Sequence, residues 1–102
     1  MEKRHIVVVA DPYTAYALRL IGAESYPVDS AEEARRVLAE LEAREDVGLV
    51  LVSAELFEEI SDSVERLQRS RGDIIIARLP TVREPGKPMD VQKELLRALG
   101  MG

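Results

Sequence analysis

The chain has 102 residues, 46% hydrophobic and 32% charged, with a formal net charge of −5, one histidine and no cysteine. Such a length fits one compact domain, and the missing cysteines remove disulfides, iron–sulfur clusters and thiolate-held zinc, while a lone His5 removes every His-dependent catalytic dyad. An acidic balance with only Tyr13, Tyr16, Tyr26 and Phe57 as aromatics argues against nucleic acid, which needs a basic face and stacking platforms.

Strand and helix signals alternate. His5 to Ala10 is a short, continuously apolar, β-branched run, the mark of a strand covered on both faces. Asp11 follows as a helix cap with Pro12 at the first helical position, which predicts a helix from Tyr13 to about Ile21 that ends at Gly22. Ser25 to Val28 reads as a short strand, and Pro27, which has no N–H for a ladder, places it at a sheet edge. Ser30 and Glu33 form a capping box ahead of a helix with Ala34, Val37, Leu38 and Leu41 on one stripe. Glu32 with Arg36 and Glu40 with Arg44 add acid-before-base pairs four apart. Val47 to Val52 is a second buried-strand run, closed by Ser53 as the cap of one further helix that carries Leu56, Phe57, Ile60, Val64 and Leu67 on a single face. Ile74 to Leu79 is the last strand. Residues 80–89 are rich in proline and glycine and read as a linker. Asp90 then caps a closing helix with Val91, Leu95, Leu96 and Leu99 on one stripe. The expected organisation is an α/β body over 1–79, a linker over 80–89 and a C-terminal amphipathic helix over 90–102.

Strands joined by helices of this length run parallel with right-handed crossovers, and runs this apolar need helices on both faces. With the two most apolar runs central and the proline strand at an edge, the fold expected is α/β. Its four-stranded parallel open sheet has order 2-1-3-4, like a flavodoxin or receiver domain without its fifth strand. The Ile74 to Leu79 strand is then an apolar edge that needs cover, from the closing helix or from a partner.

In such sheets ligands sit beyond the carboxyl ends of the strands, here the turns at Asp11 to Thr14 and Ser53 to Glu55. Neither turn holds a glycine, so neither a phosphate loop nor a dinucleotide fingerprint is expected. A phosphorylatable receiver needs an acid cluster after the first strand and an aspartate ending the third. Asp11 stands alone and Ser53 occupies the acceptor position. No catalytic residue, cofactor site or metal site is therefore expected; Asp11 reads as a helix cap and His5 as an ordinary polar contact. A receiver-like signalling or small-ligand-binding domain without a full phospho-acceptor site stays as the alternative.

What remains is surface. Residues 24–62 are strongly acidic, while bases outnumber acids from residue 70 onward. The ordinary meaning is solvated helix faces, and the sharper one a bipolar adaptor. Tyr13, Tyr16 and Arg19 lie three apart on the first helix and suit either partial burial or an interface patch. The closing helix is too short to be stable alone, so it must dock on the body or on a partner.

The chain resembles the F subunits of the A-type and V-type rotary ATPases, the small components of the rotor stalk. The likeness runs through the first strand into Ala10-Asp11, Thr14 and Leu18-Arg19-Leu20-Ile21-Gly22, the helix start at Ser30 to Ala34, the strand Val47 to Val52, and a tail ending Arg97-Ala98-Leu99-Gly100. Ala10, Ala17, Leu18 and Ile21 depart from the family's usual Gly, Gly, Phe and Ala. The resemblance implies a non-catalytic rotor component, cytoplasmic and peripheral to the membrane without inserting into it. Such a component binds the D subunit, the long coiled coil of the central stalk, and its mobile C-terminal helix reaches toward the catalytic head. The partner-binding residues expected on this basis are Tyr13, Tyr16, Arg19, Ile74, Ile76, Arg78, Val91, Leu95, Leu96 and Leu99, with Pro85 and Gly86 as the hinge.

Overall fold

The structure, a computed structural model, describes residues 5–79. The linker, the hinge at Pro85 and Gly86, and the closing helix with Val91, Leu95, Leu96 and Leu99 lie outside the described residues. The elements run β1 (His5–Ala10), α1 (Pro12–Arg19), β2 (Glu24–Pro27), α2 (Ala31–Glu42), β3 (Val47–Ser53), α3 (Ala54–Glu59), α4 (Ser61–Ser70) and β4 (Ile75–Leu79). The strands form one sheet of order β2-β1-β3-β4, and every pairing is parallel. Pro27 accordingly sits in an edge strand, and the valine-rich runs of β1 and β3 occupy the centre.

Local chemistry sets the helix ends. Asp11 caps α1 by accepting the Thr14 N–H at 3.0 Å, with Pro12 opening the helix. After α1 the Ala23 N–H bonds to the Leu18 carbonyl and the Gly22 N–H to Arg19, a doubly bonded helix terminus. Gly22 makes it possible at φ +97°, a conformation that a side chain would strain. At α2 the Ser30 hydroxyl accepts the Glu33 N–H, and the Glu33 carboxylate reaches back one residue further, to the Asp29 N–H.

Alternation along the strands divides the core in two. Val7, Val9, Val50, Val52, Ile74 and Ile76 face α2 and α4, packing on Leu38, Leu41, Val64 and Leu67. Val8, Ala10, Leu51 and Leu79 face α1, packing on Ala17 and Leu18. The helices α2, α3 and α4 thus cover the first face across its width, whereas among the described residues α1 alone lies on the second.

The third helix departs from the sequence expectation. Instead of one helix through Leu56 to Leu67, α3 and α4 meet at Ile60, whose backbone leaves the helical region (φ −111°, ψ 28°). The break turns Ile60 fully into the core. A β-branched residue followed by Ser61 and Asp62, both weak in helix interiors, makes this the easiest place to change direction. Ser53 precedes α3 as expected, yet its side chain makes no capping bond.

Candidate functional site

The residues expected to meet a partner fall into three situations. Tyr16 and Arg19 come together on the outer side of α1. The Arg19 guanidinium lies 5.2 Å from the Tyr16 ring centroid and donates to the Ser25 carbonyl at 2.7 Å, tying the helix to β2. Tyr13 is half-buried against the α1-side core. Arg78 stacks 4.7 Å from the Phe57 ring and pairs with Glu58 at 2.8 Å, a surface contact on the other face.

Ile74 and Ile76 require a correction. They are only 4% and 8% exposed and belong to the core beneath α2 and α4, so they offer no side chain to a partner. The outward residue of this run is Ile75, 66% exposed. An uninterrupted apolar run carries no phase information, so the sequence alone left the facing of these three isoleucines open.

Ile75 is one end of an apolar row. Ile6 pairs in register with Leu49, and Leu49 with Ile75, so the three side chains cross the sheet side by side on the α1 face. Ile6 and Ile75 are exposed and Leu49 half-buried. The end of α1 borders this row. Leu20, 75% exposed, continues the Tyr13 and Ala17 stripe, and Ile21 closes a shallow hollow of about 570 Å³ with Ile6 and Val8. Sequence reasoning missed Ile6, Leu20 and Ile21; the signal available was that a single eight-residue helix cannot shade four strands.

Charged groups frame the strand entrances on this side. Arg44 leaves α2 behind and turns to Glu24 and Asp46, not to Glu40. It forms an ion pair with Glu24, donates two bonds to Asp46 at 2.9 and 2.7 Å and a third to the Tyr26 hydroxyl at 3.1 Å. His5 approaches Asp46 at 3.6 Å, and Arg71 donates to the Glu42 and Arg44 carbonyls while pairing with Asp73 at 3.0 Å. These bonds staple the starts of β1, β2 and β3 to the loop after α2.

The staple shifts titration. Bonds from Arg44 hold the Glu24 carboxyl below its ordinary value of 4.5 against the opposing effect of burial, and the Tyr26 hydroxyl adds to the lowering. Arg44 likewise lowers Asp46 from 3.8. Burial, then the bond to Glu24, pushes the Tyr26 phenol up. Carboxyls that titrate lower when folded contribute stability above their unfolded values, and it is lost as pH falls through the depressed folded values. Arg44→Met is therefore expected to lower the thermal midpoint by several degrees at neutral pH and to flatten the acid limb below about pH 4.5. Thermal melts taken from neutral pH downward check this; parallel acid limbs in the two proteins would show that the staple contributes nothing.

At the opposite end of the sheet stand Asp11 and Ser53, the positions where a receiver would hold its phosphorylation chemistry. Ser53 has no carboxyl to accept a phosphoryl group, and one Asp11 oxygen is engaged by Thr14. Among the described residues no three His, Cys, Asp or Glu side chains are grouped to hold a metal ion. No helix among them is long and apolar enough to cross a membrane.

Residues 6–96 match the family described as the ATP synthase (F/14-kDa) subunit. The chain belongs to that family. It is 37% identical over 95 residues to the F subunit of the V-type ATP synthase of Thermus thermophilus, covering 90% of this chain and 91% of that one. It is 40% identical over 65 residues to the F subunit of the A-type ATP synthase of Methanococcus aeolicus, covering 63% and 66%. A solved structure of the V-type F subunit of Archaeoglobus fulgidus aligns with a TM-score of 0.45 at 28% identity, over 65% of this chain and 94% of that one. In this member of the F-subunit family, the apolar row with the end of α1 is the feature best suited to a partner, since exposed apolar side chains gathered on one face mark contact surfaces.

Proposed function

We propose that the chain is the non-catalytic F subunit in the central stalk of an A-type or V-type rotary ATP synthase. In that role its α/β body binds the coiled-coil D subunit, on the cytoplasmic side and peripheral to the membrane. The observation that carries the reading is the row Ile6, Leu49 and Ile75 with Leu20 and Ile21 beside it. An apolar strip running across a sheet, bordered by a helix end, suits the ridge of a long helix, whose own apolar side chains recur on one face. Tyr16 and Arg19, residue types favoured as interface anchors, stand on the adjoining helix. The closing helix, with Val91, Leu95, Leu96 and Leu99, serves as a second, movable contact toward the catalytic head, with Pro85 and Gly86 as its hinge. In this role the protein couples or regulates ATP synthesis and hydrolysis with ion transport, while the bond-making chemistry belongs to other subunits.

Co-expression with the D subunit of the same complex tests the reading. The two chains are expected to co-purify as an equimolar complex that survives gel filtration in high salt, as an apolar contact should. Elution of the chain alone, at micromolar concentrations of both, would sink the proposal.

A further inference from the structure

Arg35, Arg44, Arg71 and Arg78 each hold a carboxylate of the body. Arg19 reaches from α1 to β2, yet what it meets there is the Ser25 carbonyl, at 2.7 Å. Among the described residues no carboxylate pairs with it. The contact therefore fixes the side chain without neutralising it. The guanidinium is held a second time by the Tyr16 ring, 5.2 Å from its centroid, and the residue is exposed. Five N–H donors form its planar fork, and the bond to Ser25 is the one hydrogen bond it makes among the described residues. A fork of that shape takes a carboxylate through two parallel bonds, and a side chain ordered beforehand loses little freedom when a partner arrives.

Its place in the sheet says which partner it faces. Strand order carries the apolar row from Ile75 through Leu49 to Ile6, and the next strand is β2, to which the Arg19 guanidinium is bonded. Leu20 and Ile21, the residues directly after Arg19, join the row to this position. Ser25 is in register with Val8, two residues beyond Ile6, so the guanidinium lies past the β1 end of the row and a short step along the strands. Three strand spacings and that step make roughly 15 Å from Ile75, the rise of about ten helical residues.

We infer that Arg19 receives a carboxylate from the D-subunit helix that lies on the apolar row, about ten residues along that helix from the side chain that meets Ile75. The inference rests on the stalk reading above and adds the chemistry of the polar end of that contact. Helices of coiled coils carry charged side chains, often Glu and Lys, beside their apolar seam. An acid in that position completes the open fork, whereas a lysine is repelled by it, so Arg19 sets the register in which the helix seats.

The test measures affinity for the D subunit of the same complex at low and high salt. Arg19→Met is expected to weaken binding about tenfold at low salt and to flatten the salt dependence. Arg19→Lys keeps the charge without the fork and should stay several-fold weaker than the parent chain. Arg36→Met removes the same charge from the exposed side of α2, on the other face of the sheet, and should bind like the parent. Since Arg19 is exposed on the body, its variants should melt within a few degrees of the parent. Double-mutant cycles then change each acid of the D helices to its amide, and one such change is expected to lose its effect in the Arg19→Met background. A strut that merely holds Tyr16 would couple to no particular acid. Parent-like binding by Arg19→Met, an equal loss in Arg36→Met, or a loss coupled to no acid of the D subunit each overturns the proposal and leaves the stalk reading standing. Failure of the parent chain to bind the D subunit overturns both.

Discussion

Leu18→Ala is expected to lower the unfolding free energy by about 2–5 kcal/mol, the range for emptying a fully buried leucine site. Leu18 is completely buried between α1 and the sheet, against Val8 and Leu51. Two features place this site toward the upper end. An eight-residue helix has little stability of its own, so α1 persists because its inner face is packed. Among the described residues no second helix lies on that face to slide over and fill the gap. The stability of a domain this size is itself only about 5–15 kcal/mol, so the loss is a large fraction of the whole. Urea denaturation measures it, with the slope expected to stay constant while the midpoint falls. A loss below about 1 kcal/mol would mean that α1 is not seated as described.

The second large effect concerns binding. Changing Ile75→Asp together with Leu20→Asp is expected to weaken association with the D subunit by more than about 100-fold, close to 3 kcal/mol. Each aspartate would bring a charge into an apolar contact with no cation placed to receive it, and burying an unpaired charge is strongly unfavourable. Both positions are largely exposed in the isolated body, so the melting temperature should barely move. That combination separates an interface from a core. Glu40→Gln, on the exposed outer side of α2, is the matched control and should bind like the parent chain. Affinity retained by the double variant would transfer the contact to the Tyr16 and Arg19 side of α1 or to the closing helix.

How far these features were legible before the structure follows from what each depends on. Strand order needed only local facts: Pro27 has no N–H, the β1 and β3 runs have no polar face, and parallel crossovers have one hand. The caps at Asp11 and Ser30 and the terminus at Gly22 were likewise written in a few adjacent residues. The break at Ile60 was hidden because Leu56, Phe57, Ile60, Val64 and Leu67 keep helical spacing across it; the period continues while the axis turns. The facing of Ile74, Ile75 and Ile76 depends on which pairing register β3 selects, a long-range choice. The Arg44 staple was unreadable for a similar reason. A neighbour four residues away suggested Glu40, but the guanidinium lies past the last turn of α2, and the carboxylates that receive it converge only once the sheet has formed. At the ends of the strands, Asp11 and Ser53 could be located but not weighed, since the burial of Ser53 is a property of packing.

The all-parallel pairing has a consequence for synthesis. A hairpin can close as soon as its second strand leaves the ribosome, but this sheet contains none: His5 must wait for Val47 before β1 gains its inner neighbour, and β4 joins last, at the rim. Until Ser53 has emerged, the nascent chain displays its valine-rich first strand with only β2 to shield one flank. Translation pauses or chaperone contact within that interval, more than any later event, should decide how much of the polypeptide reaches its folded form.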